Sequence, residues 1–157
     1  MQVFYSDMVI SKEEKESKTL KIFLAGPTPR SDNVKSWRIE ALEILSKFSL
    51  SESFHVYVPE RRDWKTQFDY VDQVEWELEA MKNATYVIFW VPRNMENMPA
   101  LTTNVEFGMN LGSKPNSVFY GRPEGAPQTR YLDYLYTKIT KRKPCNTLEE
   151  TLRARSS

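Results

Sequence analysis

The chain of 157 residues is long enough for one domain with one sizeable core and too short for two ordinary ones. Its composition, 40% hydrophobic and 27% charged, is that of a globular protein, and a net charge of +1 gives no field that would select a nucleic acid polymer or an anionic membrane. No apolar run nears the roughly 18 residues of a membrane span, and "MQVFYSDMVISKEEKESK" contains no signal-peptide core. One domain over 1–157 in the cytoplasm is expected, with an N-terminal strand and charged connector over 1–19 and a core over about 20–140.

The inventory also limits the chemistry. One His, His55, and one Cys, Cys145, exclude a disulfide framework and leave a Cys/His zinc site without ligands. No metal and no cofactor are expected. His55 lies in the strand-like run "SFHVYVP", where a packed residue is a better expectation than a base. Carboxylates remain as the candidate catalysts.

Taken in chain order, "QVFYSDMVI" reads as a short strand and "SKEEKESK" as a connector. "LKIFLAG" is a short apolar run stopped by Gly-Pro, as in a buried parallel strand. "SDN" at 31–33 offers caps for a helix through Phe48, with Val34, Trp37, Ala41, Leu42, Ile44, Leu45 and Phe48 as its buried stripe. "FHVYVP" is a second buried strand, "PERRDWKTQFD" a polar loop, and residues 70–83 a helix that buries Val71, Val74, Leu78 and Met81. "TYVIFWV" is a strand closed by Pro92, and "PRNMENMPALTT" leads to a helix with Gly112 as its stop. "NSVFYG" is a further strand, and 127–140 and 147–156 are helices. Strands alternating with helices predict an α/β flavodoxin-like three-layer sandwich on a mainly parallel, about five-stranded sheet. The loops "AGPTPR", "PERRDW" and "PRNMENMPALTT" should converge at its carboxyl edge, where such sheets bind ligands.

Glu106 stands alone among small and apolar residues in "ALTTNVEFGMNLG". Thr103 and Glu106 have the spacing of a capping box, which recurs at Thr147 and Glu150. A carboxylate at a helix start on the ligand edge would also be desolvated, yet favoured by the helix N-terminus, and would suit a nucleophile that stays ionised.

The stretches "IFLAGPTPRSDNVKSWRIEAL", "VPERRDW", "VEWELEAMKNATYVIFWVPR" and "MPALTTNVEFGMNLG" resemble the nucleoside 2-deoxyribosyltransferase family, in its branch with Gly-Pro-Thr-Pro-Arg after the first core strand. The resemblance covers residues 20–122 in order and spacing. It implies cleavage of the N-glycosidic bond of a 2'-deoxynucleoside by Glu106, within Glu-x-Gly, and transfer of the sugar to another nucleobase. An acid about ten residues before the next strand, which handles the proton of the departing base, falls on Glu77. By helical spacing Glu77 sits at the edge of the buried stripe, with Glu75 as its local rival and Asp72 and Glu79 on the solvent side. The resemblance further implies nucleoside and nucleobase substrates and assembly into a homo-oligomer, for which "RYLDYLYTKI" offers spare aromatic surface.

Candidate substrate contacts are Gly26 and Pro27 in the turn, Arg30 for a 5'-phosphate or other acid, and Asp63 for a sugar hydroxyl. Trp64, with Phe68, could stack on a base. Thr102, Thr103 and Asn104 complete the set, the threonines as caps first. The well-studied transferases carry an acid six positions before the nucleophile, where this chain has Ala100. They also carry an aromatic hydroxyl in the first core strand, where this chain has Ile22 and Phe23. These departures leave open the acceptor, transfer against hydrolysis of a deoxynucleoside 5'-phosphate, and a non-catalytic nucleotide-binding module on the same fold.

Overall fold

A computed structural model describes residues 1–48, 53–63, 65 and 67–156. Five parallel strands form one sheet: β1 (Gln2–Tyr5), β2 (Leu20–Ala25), β3 (Phe54–Val58), β4 (Tyr86–Trp90) and β5 (Val118–Gly121), in the order β1-β3-β2-β4-β5. The register sets Phe23 beside Tyr57 on one flank and Val87 on the other. Buried on both faces, β2 is continuously apolar from Ile22 to Ala25, as such a position demands, after a buried Lys21. The fold is the expected flavodoxin-like sandwich.

Among the described residues six α-helices cover the sheet: α1 (Lys12–Glu16), α2 (Trp37–Ser46), α3 (Tyr70–Asn83), α4 (Leu101–Ser113), α5 (Arg130–Thr140) and α6 (Leu148–Arg153). Alternate strand residues divide the core between the two faces. Phe23, Ala25, Tyr57, Val87 and Phe89 pack with Met81, Phe107, Leu111 and Tyr136 from α3, α4 and α5. Ile22, Leu24, Val56, Ile88 and Trp90 pack with Trp37, Ala41, Leu45 and Leu152 from α2 and α6. The strand after α5 is reduced to one parallel bridge between Gly121 and Cys145, which exchanges bonds with Tyr120 and Arg122 at 3.1 and 3.0 Å.

Several local expectations change. The first strand ends at Tyr5, and the charged connector folds as α1, capped by Ser11. Glu14 of α1 is buried, where it accepts from the Tyr57 hydroxyl at 2.8 Å and lies 2.8 Å from His55 Nδ1. His55 is therefore a packed, partnered residue. Helix α2 begins at Trp37 behind Ser36, whose hydroxyl accepts from Arg38 N–H, and not behind "SDN". Thr147 and Glu150 do form a capping box.

The turn after β2 depends on Gly26, whose φ of +147° lies where side chains are rarely tolerated. A Cβ there would sit 2.1 Å from the Trp90 carbonyl oxygen and 2.9 Å from the Trp37 ring. Gly26→Ala should thus cost at least about 2 kcal/mol through strain and clash. Urea unfolding measures it, and a loss below about 0.5 kcal/mol would show that the turn yields freely.

Candidate active site

The sheet order reverses between β2 and β4, since β2 leads outward to β3 and β4 leads outward to β5. The crevice above such a point is where open α/β sheets bind ligands. The turn after β2 and the loop after β4 border it. The second loop is ordered by Asn94, whose side chain accepts from Glu96 and Asn97 N–H at 3.0 Å, and by the Asn94–Met98 bridge.

Helix α4 starts one turn earlier than its capping-box spacing implies. Its N-cap is Ala100, at a left-handed φ of 58° and with no side-chain cap. Thr103 is buried inside the first turn and caps nothing, and Glu106 lies in the second turn. The Thr103–Glu106 capping box is thereby overturned, along with much of the expected help from the helix dipole, which fades beyond the first turn. Burial and the neighbouring Glu77 carboxylate push the Glu106 acid up to about 8, partly opposed by the Arg38 guanidinium. A carboxylate that stays ionised by itself at neutral pH is therefore not what this environment makes.

Glu77 is the partner. Burial raises its acid, while Arg38 and a hydrogen bond with Gln73 pull it down in part. The expected stripe on α3 holds at Met81 and in part at Val74, and fails at Val71 and Leu78. Val71 and Leu78 are exposed, whereas Ala80 and Met81 are buried and Gln73, Trp76 and Glu77 half-buried. The inward face runs through 73, 76, 77, 80 and 81, so Glu77 is central to it. Glu75 and Asp72 are exposed, and Glu79 pairs with Lys15.

The pairing of Glu77 with Glu106 follows from the seam between α3 and α4. Both helices return from parallel strands, so they run in the same direction. One turn beyond the two acids, Asn110 donates to Met81 Sδ at 3.3 Å and to the Glu106 carbonyl at 2.9 Å. A further turn on, Lys114 donates to the carbonyls of Met81 and Ala84. Three successive layers thus match 77 with 106, 81 with 110 and 84 with 114.

Arg38, absent from the sequence candidates, completes the site. It is 1% exposed and reaches over the top of β2 from the opposite layer. Its Nε donates to the Leu24 carbonyl at 2.9 Å, Nη2 to the Gly26 carbonyl at 2.7 Å, and Nη1 to Thr28 at 3.1 Å and to Glu60 Oε2 at 2.9 Å. The signal was an arginine on the stripe Val34–Arg38–Ala41–Leu45, where a solvated cation does not belong. Trp37 donates to the Pro27 carbonyl at 3.0 Å, so this backbone turn is held from two sides.

A cleft of about 250 Å³ is lined by Thr28, Pro29, Pro59, Glu60, Arg61, Phe68 and Gln73, and neither Glu77 nor Glu106 is among its lining residues. Gln73 links the cleft to the pair, since it lines the cleft and bonds Glu77. Beyond the wall made by Pro29, Glu60 and Arg61 lies a larger cavity of about 610 Å³ against α2.

The other expected contacts divide. Gly26 and Pro27 are buried at the site. Arg30 is exposed and lines neither cavity. Asp63 is exposed and accepts from Lys65 N–H at 2.9 Å, while Arg62 pairs with Asp7. Thr102 is exposed, and Asn104 accepts from the buried Arg93, which also holds the Gln128 carbonyl. Trp64 falls outside the described residues. Among the described residues no cluster of His, Cys, Asp and Glu could hold a metal ion, and no helix is long and apolar enough to cross a membrane.

A comparison with curated proteins finds no match. A family model does match: the one described as nucleoside 2-deoxyribosyltransferase like covers residues 19–123, about two thirds of the chain. That span includes Gly26, Arg38, Glu60, Glu77 and Glu106, and it supports an enzyme of transferase or hydrolase type acting on small nucleosides. The chain belongs to the nucleoside 2-deoxyribosyltransferase-like family.

Proposed function

We propose that this protein cleaves the N-glycosidic bond of 2'-deoxynucleosides and transfers the deoxyribose to another nucleobase, with Glu106 as nucleophile and Glu77 as the proton-handling group. The observation that carries the reading is the half-buried, mutually repelling carboxylate pair near the switch point of the sheet. Two neighbouring acids that both titrate high hold a proton between them near neutral pH, and the reactive form is the one with that proton on Glu77 and Glu106 ionised. This chemistry needs that stoichiometry.

A Glu106 carboxylate oxygen bonds the anomeric carbon as the bond from that carbon to the base nitrogen breaks. The electron pair stays on the base, which takes the proton from Glu77. An acceptor base then attacks the same carbon, expels Glu106 and returns a proton to Glu77. Water in place of the acceptor gives hydrolysis. The 250 Å³ cleft is smaller than usual whole-ligand sites, so a nucleoside would fill it with one end, against Phe68 and the two prolines. The sugar would project toward the carboxylates. Gly26, Pro27, Thr28 and Gln73 would contact it, whereas the exposed Arg30, Asp63, Thr102 and Asn104 could join only if substrate extends outward. The fold and composition fit work on small molecules in the cytoplasm, without cofactor, nucleic acid polymer or membrane.

Incubation with deoxyinosine and free adenine tests the reading by chromatography. New deoxyadenosine is expected. Free hypoxanthine alone would replace transfer by hydrolysis, with deoxyinosine 5'-phosphate as the further substrate to try, and unchanged substrate would leave a binding module. Glu106→Gln should lower cleavage by about three orders of magnitude or more with the fold intact. Near-normal turnover in that variant would end the nucleophile assignment.

The same substitution has a signed effect on stability. The folded chain holds the Glu106 proton up to about 8, while an unfolded one releases it near 4.5. Its contribution is thus fully present below 4.5 and is lost as pH rises through 8. Glu106→Gln should match the parent protein near pH 5 and exceed it above pH 8 by on the order of 1–3 kcal/mol. Urea melts at the two pH values read the difference. Activity should follow a bell-shaped pH profile whose alkaline limb lies near pH 8, where the shared proton leaves.

We also propose that the chain self-associates. Leu101, Val105 and Met109 form an outward ridge on α4, each more than half exposed, beside exposed Tyr131 and Tyr134 of α5. A continuous apolar face of this kind usually meets a partner. Light scattering should return a multiple of 18.5 kDa for the parent chain and a monomer for Val105→Asp. A parent monomer at micromolar concentration would refute the assembly.

A further inference from the structure

Arg38 makes contacts that neither a core residue nor a surface cation needs. Its donors are spent on three elements: the last residue of β2, the Gly26–Thr28 turn, and Glu60 after β3. Glu60 is itself doubly held, since Ser36 donates to the same Oε2 at 2.6 Å. One guanidinium therefore joins the two loops that wall the cleft, and the N-cap of its own helix closes the ring.

We infer that Arg38 is a positioning residue of this site: it locks the turn after β2 to Glu60 and holds a fixed positive charge against both carboxylates. The inference rests on the reading of Glu77 and Glu106 as a working pair. The charged groups that act on one another here are Arg38 from α2, Glu77 from α3 and Glu106 from α4, while Glu60 from the loop after β3 meets the guanidinium alone. Arg38 acts electrostatically on both members of the pair, opposing the desolvation that raises them. A lysine could supply the charge, but only the planar fork can bind Leu24, Gly26, Thr28 and Glu60 together. The two roles are therefore separable: charge sets where the pair titrates, and geometry sets the shape of the cleft.

The test follows the side-chain carboxyl carbons of the full-length protein by carbon-13 NMR, with Glu77→Gln and Glu106→Gln used for assignment. In Arg38→Gln both titration midpoints should move to higher pH by about 1 unit. In Arg38→Lys they should return to near the parent values while KM stays elevated several-fold. Glu60→Gln breaks the tie but keeps the guanidinium, so KM should rise and the midpoints stay. Midpoints unmoved in Arg38→Gln would overturn the inference, as would Glu60→Gln shifting them equally. Should Arg38→Gln fail to fold, Arg38→Lys decides: midpoints displaced by about 1 unit with a positive charge still present would overturn it. Because the titration needs no turnover, shifted midpoints in a protein that cleaves no deoxynucleoside would retain the role of Arg38 and remove the transferase reading.

Discussion

Two half-buried carboxylates within reach of each other's charge are costly, and most of the local architecture bears on that cost. Removing an ionised acid from water is opposed by several kcal/mol unless partners replace the solvent. Here the partners are few: Gln73 for Glu77, and Arg38 for both. The remaining cost appears as raised acids, and a Glu106 proton retained to about 8 is the measure of it. A fold selected only for stability would place leucine at both positions. Their presence on the inward faces of α3 and α4 is thus itself an argument for chemistry.

The rigidity that holds such a pair lies outside it. Lys114 donates to carbonyls at the end of α3, where a helix leaves acceptors unpaired and its dipole favours a cation. Asn110 fastens the next layer. The seam is therefore fixed at its base and middle, and the acids occupy the top layer. On the opposite side, the turn after β2 is tightly held, since Gly26 admits no side chain, its own carbonyl accepts from Arg38 and that of Pro27 from Trp37.

The sequence disclosed elements better than faces. Helix α3 was legible to the residue, because fourteen residues lie between an aspartate cap and the Ala84 break. Its orientation was not. Hydrophobic periodicity assigns Val71 and Leu78 to the core, yet both are exposed, while Gln73 and Glu77 turn inward. Apolar residues facing out and polar ones facing in invert the usual rule, and the inversion arises where a site and an outer apolar face act on one helix. The capping box failed for a related reason. Thr103–Glu106 and Thr147–Glu150 have identical spacing, but Ala100 can adopt a left-handed turn that starts α4 early, and nothing local reveals that. Arg38 was missed because only the apolar members of its helix were read as the buried stripe, although its spacing from Ala41 and Leu45 places it on the same face.

The N-terminal segment, which precedes the family match, bears on the same problem from further away. Strand β1 pairs with β3 along its whole length, and Glu14 of α1 binds the Tyr57 hydroxyl beneath the Tyr57–Trp76 ring contact. Trp76 in turn donates to the Met8 carbonyl at 2.8 Å. Helix α3 is thus held on its outer flank by Met8 and by the Lys15–Glu79 ion pair, and on its inner flank by α4. Trp76 and Glu77 are adjacent in the chain, so the rotation of α3 that seats the indole also directs the carboxylate into the seam. An otherwise peripheral strand and short helix thereby help determine which way Glu77 points.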